Sequence, residues 1–452
     1  MGVHLLVWKL GMVRAATSLL VVLLANVLNR VLIVDLKVAA SLVTFCFAFQ
    51  HVATPVGLLT GYLSDAYALR GRHRAPYVWG GMFLALAVMP FFPGWAQALG
   101  AAPQDRGLMW QGILLFSLFG IGTTTSATAV NALLVDRLPE TDRGPALTLV
   151  WILTLAGFIA GSLFISFIFP DYEPQGLDRL FLIVAAVVLA GTLWGTWGVE
   201  PAGDPSRPPG EDQWSLRQTL SFLFGNPQPL TFFAFLFASL FFLSLHTFLL
   251  TAYGGEVLSL PVAATSRFGV FISYGVILGM AALHLLLSAK RRGGRLVLAL
   301  SLVVGAAAFG LLSLTSFWAY APGGFVALGI FGFSRGLYNV GLSHLTMAMA
   351  HPAFSGIFMG LWNLVSGLAL AAGEMTGGVL KDFFYHLSGD YRGAYGWLFL
   401  VEGLGLLGCL ALLAPLRLEP YRQRFALLHG KKVNLAAAAP VPERRASSHE
   451  SR

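Results

Sequence analysis

The groups in this chain that could do chemistry are few, and they sit inside apolar sequence. Asn29 and Arg30 interrupt one apolar run, and Gln50 and His51 a second. Asn131, His246 and His284 each interrupt a further run, followed by Arg335, Asn339 and His344 in one run and Asn363 and Glu374 in another. Polar groups placed deep in apolar spans are costly to bury, so they face a cavity or a partner. Arg335 and Glu374 carry opposite charge and could instead satisfy each other as a structural bridge. His284 falls near a run's end and is the weakest of the set. The chemistry these residues suggest is binding. No Gly-x-x-x-x-Gly-Lys phosphate loop is present, which argues against ATP drive. No His/Cys/carboxylate set has metal-site spacing, and no serine occupies a nucleophile elbow. Cys46 and Cys409 lie singly in apolar runs, which suggests neither a disulfide framework nor a metal site. The expectation is a protein that is not an enzyme.

The elements that position these groups are membrane helices. Apolar residues make up 56% of the 452, and charged residues only 11%. A soluble chain has about 25% charged residues. A spanning helix needs about 20 apolar residues, and the runs are too continuously apolar for barrel strands, which alternate over about 10 residues. The expected spans are 15–35, 39–63, 77–99, 108–135, 146–169 and 179–199, then 229–252, 265–288, 295–317, 324–350, 356–386 and 395–416. This predicts an all-α integral membrane protein of twelve helices. Its expected units are a first six-helix bundle over 1–199, a polar, Pro-rich linker over 200–228, a second bundle over 229–418 and a basic disordered tail over 419–452. The net charge of +8 comes largely from the tail and from short loops on one side, so it reports orientation and not nucleic-acid binding. Lys9, Arg14, Arg70, Arg72, Arg74, Arg137, Arg143 and Lys290 lie on that side, which predicts both termini and the linker in the cytoplasm.

The halves look related. Span 1 runs into Asp35-Leu36-Lys37-Val38-Ala39-Ala40, and span 7 runs into Glu256-Val257-Leu258-Ser259-Leu260-Pro261. Parallel six-span repeats place a substrate path at their interface. Between spans 2 and 3, Gly61 and Asp65 are followed by Arg70, Gly71, Arg72 and Arg74. This resembles the gating motif of facilitators, with the second glycine later than usual. Asp65 is expected to act as a charge lock at a helix end. Small-residue pairs Gly57/Gly61, Gly157/Gly161, Gly275/Gly279 and Gly373/Gly377 fall on spans 2, 5, 8 and 11. They are expected to give smooth packing between the two bundles.

Four stretches carry a more specific resemblance. They are Leu28 to Leu36; Ser64-Asp65 with Leu69 to Trp79; Tyr253-Gly254-Gly255-Glu256-Val257-Leu258; and Gly356 to Trp362. Together they resemble the PucC-type bacteriochlorophyll delivery family, a branch of the major facilitator superfamily, over nearly all of the chain before the tail. One departure is Thr251-Ala252, where that family often has Asp-Pro. The resemblance implies a facilitator fold and a role in assembling light-harvesting or photosystem complexes in a photosynthetic membrane. It also implies a bound chlorophyll or bacteriochlorophyll, with antenna or photosystem subunits and chlorophyll synthase as partners. A neutral histidine in a span could supply the axial ligand that the pigment's magnesium takes. Two other readings stay open at this point: an ordinary secondary transporter of a small solute, and a scaffold that moves nothing.

Overall fold

A computed structural model describes residues 3–67, 69, 71–137, 140–200, 225, 227–289, 294–349 and 355–416. Most of the expected linker, and all of the tail, lie outside these residues. Among the described residues the regular structure is helical, apart from an isolated bridge between Leu69 and Arg72. Ten segments are long and apolar enough to cross a membrane. Glu140–Ile168 and Ser355–Ser388 complete the twelve spans of the expected fold.

The span boundaries differ from the expected ones by a few residues, except that span 1 begins earlier, at Val3. What hydropathy did not predict is irregularity inside the spans. Span 1 is α-helical over Val3–Val22, then widens to π-helical turns over Leu23–Leu28 and Val31–Asp35. Asn29 and Arg30 sit between those turns. Span 2 passes through a tight 3-10 turn at Phe49–Ala53 before resuming as Thr54–Ala66. Pro55 lacks the N–H that would bond the His51 carbonyl, and the Thr54 hydroxyl donates to that carbonyl instead at 2.7 Å. Span 7 breaks between Pro227–Ser244 and Leu250–Glu256. Irregular backbone at membrane depth must be satisfied by protein groups. Here the Asn29 amide of span 1 donates to the Phe248 carbonyl inside the break.

The exits of spans 1 and 7 have the same backbone geometry. Lys37 and Ser259 are both left-handed, at φ 57° and 53°. Val38 N–H bonds back to the Leu32 carbonyl at 2.9 Å, and Leu260 N–H to the Gly254 carbonyl at 2.9 Å. Both bonds reach back six residues, so the two halves end these spans alike.

The glycine pairs do not do what the sequence suggested. Gly57 packs on Thr124 and Thr128 of span 4, and Gly157 and Gly161 on Ala15 and Leu19 of span 1. Gly275 and Gly279 meet span 10 backbone around Gly329 and Phe333, and Gly373 and Gly377 meet span 7 at Phe241 and Leu245. These contacts lie within a half, and among the described residues a Cβ at Gly61 would meet open space. Spans 2 and 11, and spans 5 and 8, do face each other across the halves, but through other small residues. Gly378 meets Ala40 and Thr44, Gly367 meets Thr54, and Gly269 meets Ser162.

Candidate functional site: polar groups at the central interface

Helix faces fix where each polar group points. On span 10, Gly332 and Gly336 abut Ile272 and Val276 of span 8. Ser334 donates to the Ser301 carbonyl of span 9 at 2.8 Å. Phe331 and Tyr338 turn to span 7, against His246 and Ser239 respectively. At 100° per residue, Arg335 and Asn339 fall between the faces given to spans 7 and 8. That stripe looks away from span 9, toward the centre of the molecule. Arg335 and Asn339 are both half-buried.

Span 4 repeats the arrangement. Gly122 and Ser126 meet span 3 at Gly81, while Thr124 and Thr128 face Gly57 of span 2. Val130, Leu133 and Leu134 pack with Leu6 and Leu10 of span 1. Asn131 lies between the faces given to spans 1 and 2 and is exposed. On span 11, Gly367 and Gly378 face span 2, and Gly373 and Gly377 face span 7. Asn363 and Glu374, three turns apart, share the stripe between them. Asn131, Arg335, Asn339, Asn363 and Glu374 thus all turn toward the space between the halves.

Glu374 crosses that space. Its Oε1 lies 3.1 Å from His51 Nε2 on span 2. The alternative bridge between Arg335 and Glu374 does not form; the carboxylate lies against the imidazole instead. Gln50, beside His51, presents its backbone to Gly120 of span 4. His344 lies apart from this group, on the face toward span 9 at Gly294, and is exposed. The His284 side chain lies outside the described residues.

A second histidine–carboxylate pair is buried in the second half. His246, in the break of span 7, places Nδ1 2.5 Å from Glu402 Oε1 of span 12. Its backbone N–H donates to the same oxygen at 3.2 Å. The ring lies edge-on to Phe331, with centroids 4.7 Å apart, and tilted against Phe309 at 5.0 Å. A carboxylate on one ring nitrogen fixes the tautomer and orientation of the other, as carboxylates do behind metal-binding histidines. Glu402 was not singled out in the sequence, since an isolated acid in an apolar run shows no partner until the fold brings one.

Asn29 and Arg30 serve as joints between the halves. Arg30 pairs with Asp35 at 2.7 Å and donates to the Leu260 carbonyl at 3.2 Å. Nearby, the Ser41 N–H donates to Asp382 at 2.8 Å, Arg267 to Ser166 at 2.9 Å, and Ala263 N–H to the Pro170 carbonyl at 3.0 Å. Lys381 lies 3.4 Å from Glu256, which also accepts from Tyr395 at 2.7 Å, and packs over the rings of Tyr385, Tyr391 and Tyr395. These contacts stitch the end of the molecule opposite the termini.

The loop between spans 2 and 3, at the other end, is organised by acids that the motif did not indicate. Glu200 accepts from the backbone N–H groups of His73, Arg74 and Ala75 at 2.7–3.0 Å. It therefore caps the first turn of Ala75–Val88, where a negative charge meets the positive end of the helix. Arg74 donates to Asp136 of span 4 at 2.9 Å and to the Ser64 hydroxyl. Gly71 is left-handed at φ 73°, which closes the tight turn. Arg72 lies over the Trp79 ring. The side chain of Asp65, and Arg70 altogether, lie outside the described residues.

Residues 27–420 match the family described as PUCC protein. The chain is 28% identical over 386 residues to "Protein PucC" of Rhodovulum sulfidophilum, covering 83% of this chain and 84% of that protein. It is 26% identical over 423 residues to "Bacteriochlorophyll synthase 44.5 kDa chain" of Rhodobacter capsulatus, covering 90% and 95%. Among solved structures, a bacterial homologue of the human lysosomal transporter Spinster, in an inward-facing and unoccupied conformation, superposes with a TM-score of 0.70. That likeness, at 13% identity and covering 93% of this chain and 97% of the other, shows the shared fold alone. With its family matched across nearly all of its spans, the chain belongs to the PUCC family of integral membrane proteins, built on the major facilitator fold.

Proposed function

We propose that this protein binds a chlorophyll-type pigment between its two halves and delivers it during assembly of light-harvesting or photosystem complexes. It acts as a non-enzymatic carrier in a photosynthetic membrane, with both termini in the cytoplasm. The observation that carries the reading is the family match over residues 27–420. A relative named as a bacteriochlorophyll synthase chain agrees with a pigment-linked role. Within the second half, the support is chemical. A chlorin is a flat apolar ring whose magnesium takes one axial ligand, and His246 is an oriented imidazole between phenylalanine rings. Gentle purification from the native host should retain Soret and far-red absorbance. Pigment-free protein that also fails to bind added chlorophyll would remove the carrier and leave a scaffold.

A further inference from the structure

Arg335 is a cation at the middle of span 10 with no hydrogen bond or ion pair to any described residue. The Tyr338 phenol lies one turn along the same helix. That phenol is already engaged with the Ser239 hydroxyl at 2.7 Å. Glu374, the acid on the facing stripe of span 11, is held by His51. Arg14, half-buried near the terminus-bearing end of span 1, shares this lack of a described side-chain partner, but cations nearer the other end are treated differently. Arg30 has Asp35 and the Leu260 carbonyl, Arg267 has Ser166, and Lys381 has Glu256 and three aromatic rings. A guanidinium keeps its charge in any surroundings, so an arginine left unpaired at membrane depth calls for an anion from outside the fold. Asn339 lies one turn further on the same stripe, and Asn131 on the equivalent stripe of span 4; no described group bonds either side-chain amide. They add donors without adding charge.

We infer that the central site takes an amphiphile whose apolar body carries one free carboxylate, and that Arg335 holds that carboxylate. This rests on the proposed function and sharpens it. Among chlorins, the form so recognised is the free propionic acid, before it is esterified to a long alcohol. The ring would lie in the space between the halves, and the acid would meet the planar fork of the guanidinium in two parallel hydrogen bonds.

The test uses the full chain in phosphatidylcholine nanodiscs, titrated with a chlorin carboxylic acid and with its methyl ester. A charge-assisted hydrogen bond of the usual strength corresponds to roughly a ten- to hundredfold preference for the acid in the wild type. Arg335→Gln should bring the acid down to the ester's affinity and leave the ester unchanged, while Arg335→Lys keeps part of the preference. Equal binding of acid and ester by the wild type overturns the inference and leaves the pigment reading standing. A preference that survives in Arg335→Gln also overturns it. If neither chlorin binds, both readings fall together. Phosphatidylglycerol added to the nanodiscs should not displace the acid; displacement would assign Arg335 to a lipid phosphate instead.

Discussion

At the scale of single residues, the two buried histidine–carboxylate pairs do different work. His51–Glu374 spans the halves, whereas His246–Glu402 lies within one half and orients an imidazole in an aromatic setting. If His246 is the pigment ligand, His246→Leu should abolish the far-red band of the purified protein. Glu402→Gln should weaken pigment binding by roughly ten- to hundredfold, the usual effect of losing the group behind a ligating histidine. His51→Leu should spare the band. Absorbance titration of the three variants decides the assignment, and equal loss in all of them would refute it. Removing one partner of a buried hydrogen-bonded pair leaves the other unsatisfied, at a cost of about 1–3 kcal/mol, so each variant needs a melting curve in detergent to separate instability from lost ligation.

The residue scale also shows where the sequence was legible. Positions such as Asn131, Arg335, Asn339, Asn363 and Glu374 stood out as polar groups in apolar runs, and the helix faces turn all five toward the centre. Their partners were not legible. Nothing local distinguishes Glu402 as the partner of His246, 156 residues away, or Glu200 as the cap on the span 3 helix. Nor does hydropathy reveal the break in span 7, because Leu245, Phe248 and Leu249 keep the run apolar while the helix opens.

At the scale of elements, glycine has two uses that sequence spacing alone did not separate. Gly275 sits where spans 8 and 10 touch backbone to backbone, inside one half. Gly378 sits where span 11 crosses span 2, between the halves, with the Ala40 carbonyl and the Thr44 hydroxyl against it. Gly275→Leu should therefore damage folding itself, with low yield and a broadened melting transition. Gly378→Leu should fold, but push the halves apart at the end opposite the termini. Cysteines at Ser41 and Asp382, whose native groups lie 2.8 Å apart, report on that closure. Disulfide yield should fall severalfold in Gly378→Leu and stay unchanged in a control with leucine at Gly310, where a Cβ meets open space. Unchanged yield in Gly378→Leu would mean that this crossing does not set the closure.

The same scale places the loop between spans 2 and 3. Glu200 holds three backbone N–H groups at the start of span 3, so Glu200→Ala removes a cap worth about 0.5–2 kcal/mol. The expected result is a melting temperature a few degrees lower, with proteolysis appearing first in the loop around residue 70. Intact loop resistance in the variant would show that Arg74, through Asp136 and Ser64, suffices to hold it.

At the scale of the whole molecule, most described hydrogen bonds between the halves lie at one end, from Asn29 and Arg30 through Ser41–Asp382 to Ala263–Pro170, with His51–Glu374 deeper. Which side of the membrane that end faces follows from charge. Lys and Arg in short loops determine orientation, whereas Asp and Glu contribute little. The terminus-bearing side carries Lys9, Arg14, Arg70, Arg72, Arg74, Arg137, Arg143, Arg207, Arg217, Lys290, Arg291, Arg292, Arg295 and the basic tail in sequence, while the stitched end carries only Lys37, Arg106, Arg179, Arg267, Lys381 and Arg392. Of the basic groups at the stitched end, Arg267 and Lys381 are already committed to Ser166 and Glu256. The termini are therefore expected in the cytoplasm and the stitched end outside. Single cysteines test this directly, since Cys46 and Cys409 are buried and should stay silent to an impermeant thiol reagent. Gln104→Cys, in the exposed turn between spans 3 and 4 at the stitched end, should label in intact cells. Ser206→Cys in the linker and Ser447→Cys in the tail should label only after lysis. Labelling of either from outside, or protection of the cysteine at 104, would invert the molecule in its membrane.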